Sequence, residues 1–252
     1  MRGEIFIGTA TILSLASVIL LIFAHVGQTS TSKVPRSIFM AKVNVSGYEA
    51  ALTAAFLNDI EGLFTSNASA PLGARAGLRQ FYEFGFYSHC AYVNETAGIC
   101  SNSSTAHPYR PYDYITQDMT SNYSTYTDAV IAGTSFRDSN SLGNSTKAGY
   151  YLILLGTIAA ALALITGILK RNLTFLLSTI SAGFSALFLL IGAALWTSAI
   201  MKSDSINRFV IDSNPTSSPL QLGITVSIGT GLYLVWASFA CMFGSLIPYM
   251  IS

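Results

Sequence analysis

Four stretches of this chain, Ile5–Val26, Gly149–Leu169, Leu173–Ile200 and Leu220–Ile247, contain no Asp, Glu, Lys or Arg. Each exceeds the roughly 20 residues a helix needs to cross about 30 Å of hydrocarbon. A backbone in lipid has to satisfy its own hydrogen bonds, so these stretches read as helices, and the alternation of a lipid-exposed barrel strand is absent. Buried inside a soluble domain, four such helices would leave too few residues to cover them. The whole chain agrees: it is 51% hydrophobic and 10% charged, against roughly 25% charged in an ordinary globular protein. A net charge of +1 excludes a broad basic field for nucleic acid. What charge there is lies mostly in 27–148, with eight basic and nine acidic residues.

The first stretch is too long for the 7–15-residue apolar core of a signal peptide, and Ala24-His25-Val26-Gly27 is a poor cleavage site. It reads as a retained span. The connector at 170–172, Lys-Arg-Asn, is a turn and little more, so the second and third spans form an antiparallel hairpin. Four spans put the N-terminus and the short tail 248–252 on one side, with 27–148 and 201–219 on the other. Counting membrane-proximal cations sets Arg2, Lys170 and Arg171 against Lys33, Arg36, Lys42, Lys147, Lys202 and Arg208. That count favours the reverse orientation, but a loop this long is largely exempt from the positive-inside rule. Two features outweigh it. The long loop holds six N-glycosylation sequons, at Asn44, Asn67, Asn94, Asn102, Asn122 and Asn144, and two cysteines. Glycans and disulfides belong to the lumen and the exterior. Both termini are expected in the cytosol, where a seventh sequon at Asn172 would stay bare.

Small residues recur at helical spacing in the spans: Gly156 and Ala160, Ala163 and Gly167, then Ser178, Ala182 and Ala186, then Gly223, Ser227 and Gly231. Such spacing lets membrane helices approach closely. Ionisable groups inside a span are the usual mark of ion or proton coupling. Here only His25 comes near, at the end of the first span, which argues against an active transporter. Cys241, in the fourth span, has no cysteine nearby and reads as a small buried hydrophobe.

In the long loop, 37–45 is rich in β-branched and aromatic residues and reads as a strand. Ser46 with Glu49 matches a capping box, and apolar residues at Tyr48, Leu52, Phe56 and Ile60 predict a helix over about 47–61 ending at Gly62. Residues 65–77 read as loop, 109–113 as an aromatic turn, and 122–145 as a short helix followed by loop. The sharpest segment runs from Phe81 through Tyr82, Phe84, Gly85, Phe86 and Tyr87 to Cys90, with Cys100 beyond. Its aromatics are placed to hold a strand against a neighbour or against the outer ends of the helices, with 94–98 as the turn. A disulfide across such a hairpin would contribute roughly 2.7 kcal/mol by chain-entropy arithmetic. His89 and His107 lie close in sequence to both cysteines, but a zinc site needs reduced thiolates and this loop faces an oxidising space. No serine elbow, His-Glu-x-x-His or phosphate-binding loop occurs. No catalytic residue, metal or cofactor is expected.

The pattern Phe84-Gly85-Phe86-Tyr87-x-x-Cys90…Cys100 resembles the Gly-Leu-Trp-x-x-Cys…Cys signature of claudin-like proteins. Within that superfamily the chain looks most like the fungal SUR7/PalI family. The segment 39–47, ending Val-Asn-Val-Ser-Gly, resembles that family's strand and turn. Phe81-Tyr82-x-x-Gly85-Phe86-Tyr87-x-x-Cys90 resembles its Phe-Tyr-x-x-Gly-Leu-Trp-x-x-Cys. Phe86 and Tyr87 stand where Leu and Trp are usual, and many relatives carry a long cytosolic tail where this chain ends soon after the fourth span. The resemblance implies an all-α membrane protein: a claudin-like four-transmembrane-helix bundle with a small extracellular β-containing domain in the first outer loop. It implies a non-enzymatic organiser of fungal cortical (eisosome-like) plasma-membrane domains, supporting membrane and cell-wall organisation or endocytosis. Membrane lipids are the expected partners, with lateral association with itself or other membrane proteins, and with cell-wall or cortical proteins as further candidates. Regulation of calcium influx, or of pH and stress signalling, stays open as an alternative.

Overall fold

The computed structural model describes residues 2–56, 60–168, 172–211 and 220–251. In chain order the elements are α1 (Arg2–Val26), α2 (Lys33–Ser37), β1 (Ala41–Asn44), α3 (Tyr48–Phe56), β2 (Phe81–Phe84), β3 (His89–Tyr92) and β4 (Gly98–Cys100). Next come α4 (Pro111–Asp118), α5 (Ser121–Val130), α6 (Ser139–Ile168), α7 (Asn172–Ser203), β5 (Val210–Ile211), β6 (Leu220–Gln221), β7 (Thr225–Ile228) and α8 (Thr230–Ile251). Single 3₁₀ turns precede α6 and follow α7.

The four long helices are apolar enough to cross a membrane and close a ring in the order α1, α6, α7, α8. Their outward side chains invert the rule of a soluble protein: Ile12, Ile19, Leu155, Ile158, Ile165, Leu176, Phe184 and Phe243 are all exposed. Lipid is the solvent that makes such a surface favourable. Small residues line the inside. Gly156, Ala160, Ala163 and Gly167 form one buried face of α6, and Ser178, Ala182 and Ala186 are buried on α7. The Ser178 and Ser185 hydroxyls donate to the Ala163 and Gly156 carbonyls, each at 2.8 Å. Across the other seam, Ser17 on α1 meets Ser238 on α8 at 2.5 Å. Because hydrocarbon offers no competing water, close backbone approach and such hydroxyl bonds are what hold the ring together.

At 30 and 32 residues, α6 and α7 run about 45–48 Å at 1.5 Å per residue. They outrun the hydrocarbon, and on the side that carries residues 27–138 their ends enter a domain built on a five-stranded antiparallel sheet of order β4-β3-β2-β1-β7. Four strands come from the connection between α1 and α6, and β7 comes from the one between α7 and α8. β1 is an interior strand, pairing Val43 with Tyr82 on one side and with Val226 on the other.

That strand corrects the reading of 220–247 as one helix. Residues 220–229 hold β6 and β7, and α8 starts at Thr230. The uncharged window concealed a period of two: Val226 is buried while Thr225 and Ser227 are exposed. Gly223 and Ser227 are therefore no helix seam. Gly223, in the left-handed region at φ +74°, lies where a Cβ would fall 2.3 Å from the Gly47 carbonyl carbon, and a Cβ on Gly229 would fall 2.0 Å from the Phe39 oxygen. The glycines let the second connection dock against β1. The far edge of β7 is closed by a side chain, since Asn207 donates to the Val226 carbonyl at 2.9 Å and accepts from its N–H at 2.6 Å.

Smaller differences follow the same logic. The strand of 37–45 narrows to Ala41–Asn44, preceded by α2, and the helix of 47–61 is described over Tyr48–Phe56, residues 57–59 lying outside the described residues. Residues 139–145, expected as loop, are the first two turns of α6, and Pro248–Ile251 continue α8 instead of forming a tail. Most of the 170–172 turn, residues 212–219 of the second connection and Ser252 also lie outside the described residues.

Candidate functional site

The motif segment is a three-stranded meander, β2 to β4, that forms one side of the sheet, and its β2–β3 turn meets the helix ends. Cys90 and Cys100 are joined by a disulfide, their Cα atoms 3.9 Å apart, facing each other across β3 and β4. Backbone bonds flank them at Ser101–His89 and Val93–Ala97. The cysteines thus occupy a non-hydrogen-bonded pair, the closest kind of position in an antiparallel ladder.

Gly85 ends β2 where the chain crosses the end of α1. A Cβ there would lie 2.6 Å from the Gly27 oxygen and 2.8 Å from the Gln28 Cβ, so any side chain would push the hairpin off the helix. Phe86 then inserts, fully buried, among His25, Tyr150 and Trp196, with ring centroids 5.1, 5.9 and 5.7 Å away. Tyr87 continues the seam. The Thr157 hydroxyl donates to the Ile153 carbonyl at 2.8 Å, so it accepts from His25 Nε2 at 3.2 Å. His25 Nδ1 is left to accept from the Tyr87 hydroxyl at 3.0 Å. Two consecutive motif residues therefore fasten the sheet domain to α1, α6 and α7.

Beneath the sheet, buried polar groups are matched to one another. Gln28 donates from Nε2 to the Arg36 carbonyl at 2.8 Å and to Glu83 at 3.1 Å, and its Oε1 accepts from Tyr92 at 3.2 Å. Its carbonyl accepts from the Ser88 hydroxyl. Glu83 pairs with Lys42 at 3.0 Å, whose ammonium sits 4.3 Å from the centroid of the Phe81 ring. Burial raises the Glu83 pKa, and the Lys42 charge works against that rise. Deeper still, Arg79 and Asp118 form an ion pair of 2.9 Å with side chains 0% and 2% exposed. Tyr82 donates to the same Asp118 oxygen at 2.9 Å, and the Gly73 N–H donates to the other at 2.6 Å. Phe84 packs edge-on against Tyr109 at 4.9 Å.

Six sequence-predicted residues, Phe81, Tyr82, Phe84, Gly85, Phe86 and Tyr87, thus lie in one continuous unit with the disulfide. The sequon asparagines are dispersed around it. Asn67, Asn94, Asn102, Asn122 and Asn144 are exposed, while Asn44 is half-buried at the end of β1. Gln28, Arg79, Asp118, Trp196 and Asn207 were not singled out from sequence. An arginine and an aspartate 39 residues apart carry no local pattern that distinguishes a buried pair from two surface charges.

His89 and His107 do come together, with Nδ1 and Nε2 2.8 Å apart, and Tyr114 stacks on His89 at 4.0 Å. Among the described residues no group of three or more His, Cys, Asp or Glu is placed to hold a metal. Burial lowers the pKa of His89 to about 3, helped by His107 and Arg79, and that of His107 to about 4, helped by Lys147. Both imidazoles are neutral in the fold. Protonation therefore favours the unfolded chain: the pair's contribution is complete above pH 6.5 and is lost as pH falls towards 4. At 1.36 kcal/mol per unit, each imidazole would cost about 2 kcal/mol at pH 5. Thermal unfolding of the purified protein is expected to show a falling midpoint between pH 7 and pH 5. His107→Gln, which cannot take up a proton in this range, should remove about half of that slope.

The family model described as SUR7/PalI family matches residues 6–247. The chain belongs to the SUR7/PalI family. Among curated proteins none matches it. SUR7/PalI membership makes this a multi-pass plasma-membrane protein, and it is consistent with a non-enzymatic organising role. The Gly-aromatic-aromatic-x-x-Cys segment of this SUR7/PalI chain is the part that seats the sheet domain on its helices.

Proposed function

We propose that this chain organises lateral domains of the fungal plasma membrane, of the cortical eisosome-like kind, with its outer domain facing the exterior and both termini in the cytosol. The observation that carries the reading is the join between domain and bundle. A sheet drawing strands from both outer connections is locked to three helices by the Phe86 and Tyr87 seam. Such a unit behaves as one stiff body across the bilayer, suited to holding neighbours in register. Lipids and further copies of the chain are its natural lateral partners, with cell-wall or cortical proteins meeting its two faces. The six loop sequons and the disulfide support the outward assignment of 27–148.

Two measurements test this. Peptide-N-glycosidase should collapse a heavier, diffuse band to about the 26.9 kDa polypeptide, and an epitope after Ser252 should be reached only in permeabilised cells. Labelling of that epitope in intact, wall-stripped cells would overturn the orientation. A fluorescent fusion should form stable cortical patches that recover slowly after bleaching. A uniform, freely exchanging distribution would overturn the organising role.

A further inference from the structure

Phe56 at the end of α3 and Tyr126 on α5 are large aromatics left 41% and 51% exposed on the aqueous domain. They touch each other, with ring centroids 5.2 Å apart, and with Leu52, Ile60 and Tyr123 they line an apolar cavity of about 120 Å³. Unlike the exposed apolar side chains of the long helices, these lie outside the four candidate spans. Exposed apolar surface of this kind outside a membrane span calls for a cover.

The cover can be identified from the chain itself. Asn122, an exposed sequon asparagine, lies on α5 four residues before Tyr126. Helical side chains tilt towards the N-terminus, so residues four apart stand one above the other and the Tyr126 side chain leans over the turn that carries Asn122. A sugar on Asn122 is thereby delivered to the outward flank of the Tyr126 ring. The C–H face of a pyranose is apolar, and stacking it on an aromatic ring removes both surfaces from water.

We propose that Asn122 carries an N-linked glycan whose first N-acetylglucosamine packs on Tyr126 and covers the Phe56–Tyr126 groove. In the transfer, Asn122 Nδ2 bonds to C1 of an N-acetylglucosamine supplied as a lipid-linked diphosphate. The lipid diphosphate leaves, and Nδ2 gives up one proton. The glycan then acts as a structural part of the domain, fastening α5 to α3. This rests on the outward-facing reading of 27–148.

The test is a two-by-two comparison on the full chain expressed in a glycosylating host and purified in detergent. Glycan occupancy is read by mass spectrometry, and hydrogen exchange is followed in α3 and α5. Asn122→Gln should speed exchange in both helices about fivefold. In a Tyr126→Ser background the same Asn122→Gln change should add nothing. An equal effect of Asn122→Gln in both backgrounds, or none in either, would overturn the proposal. Should Tyr126→Ser fail to fold, endoglycosidase trimming of the unaltered chain decides: a single remaining N-acetylglucosamine should keep full protection, and lost protection would overturn the stacking. Sugar on the other sequons with a bare Asn122 would sink this proposal alone. Sugar on none of the six would sink the outward-facing reading with it.

Discussion

Asp118→Ala and Arg79→Ala are each expected to stop the sheet domain from reaching its native state. Removing one partner of a buried ion pair leaves the other charge desolvated and uncompensated, which costs about 3–5 kcal/mol. That is a large share of the 5–15 kcal/mol that stabilises a typical domain. The geometry leaves no easy relaxation. Arg79 is 1% exposed as a whole residue, and Asp118 is also the acceptor for the Tyr82 hydroxyl and the Gly73 N–H, so its loss orphans three donors. Replacing both members by apolar side chains of similar size, Arg79→Met with Asp118→Leu, should be less damaging than either alanine change, because no charge is then left in the core. It should not be neutral, since Tyr82 and Gly73 still lack their acceptor. Surface fraction and protease resistance of the two single variants and the double would read this out. A double variant as poor as Asp118→Ala would show that the hydrogen bonds to Asp118, and not the unpaired charge, set the cost.

How far this architecture could be read beforehand depended on whether a feature was local. The four spans, the disulfide hairpin and the aromatic motif each lie within a short stretch of chain, where absence of charge, spacing and turn residues leave direct marks. The small-residue faces of α6 and α7 were legible for the same reason, since a period near 3.6 is visible in a single helix. The strand at Thr225–Ile228 was not. Charge was the criterion for a span, and a strand of Thr, Val, Ser and Ile buried against β1 carries no more charge than a membrane helix does. Its alternation, and the glycines at 223 and 229, were the signals that could have found it. Arg79 with Asp118, and Gln28 with Glu83 and Tyr92, had no such signal. They acquire meaning only when the fold brings distant segments together, and a buried polar group looks like a surface one until its partners are known.

Breaking the Cys90–Cys100 bond is expected to hold the protein in internal membranes while leaving its helices inserted. The bond spans ten residues, and the chain-entropy relation gives about 2.7 kcal/mol for a loop of that size. Its loss acts at a sensitive point. Cys90 pairs with Glu83 on β2 as well as with Cys100 on β4, so loosening β4 uncovers the strand next to the motif. Phe84 and Phe86, 1% and 0% exposed in the fold, are the surfaces that quality control would then meet. Insertion of the four spans depends on their own hydrophobicity and self-satisfied backbones, so it should survive. Either serine substitution removes the same bond, so Cys90→Ser, Cys100→Ser and the double variant should show nearly equal surface fractions. Cys241→Ala, which changes a half-buried free thiol on α8, is the control and should leave surface delivery unchanged. Normal delivery of Cys90→Ser, or a double variant much worse than either single, would show that the two cysteines do not act through one required bond.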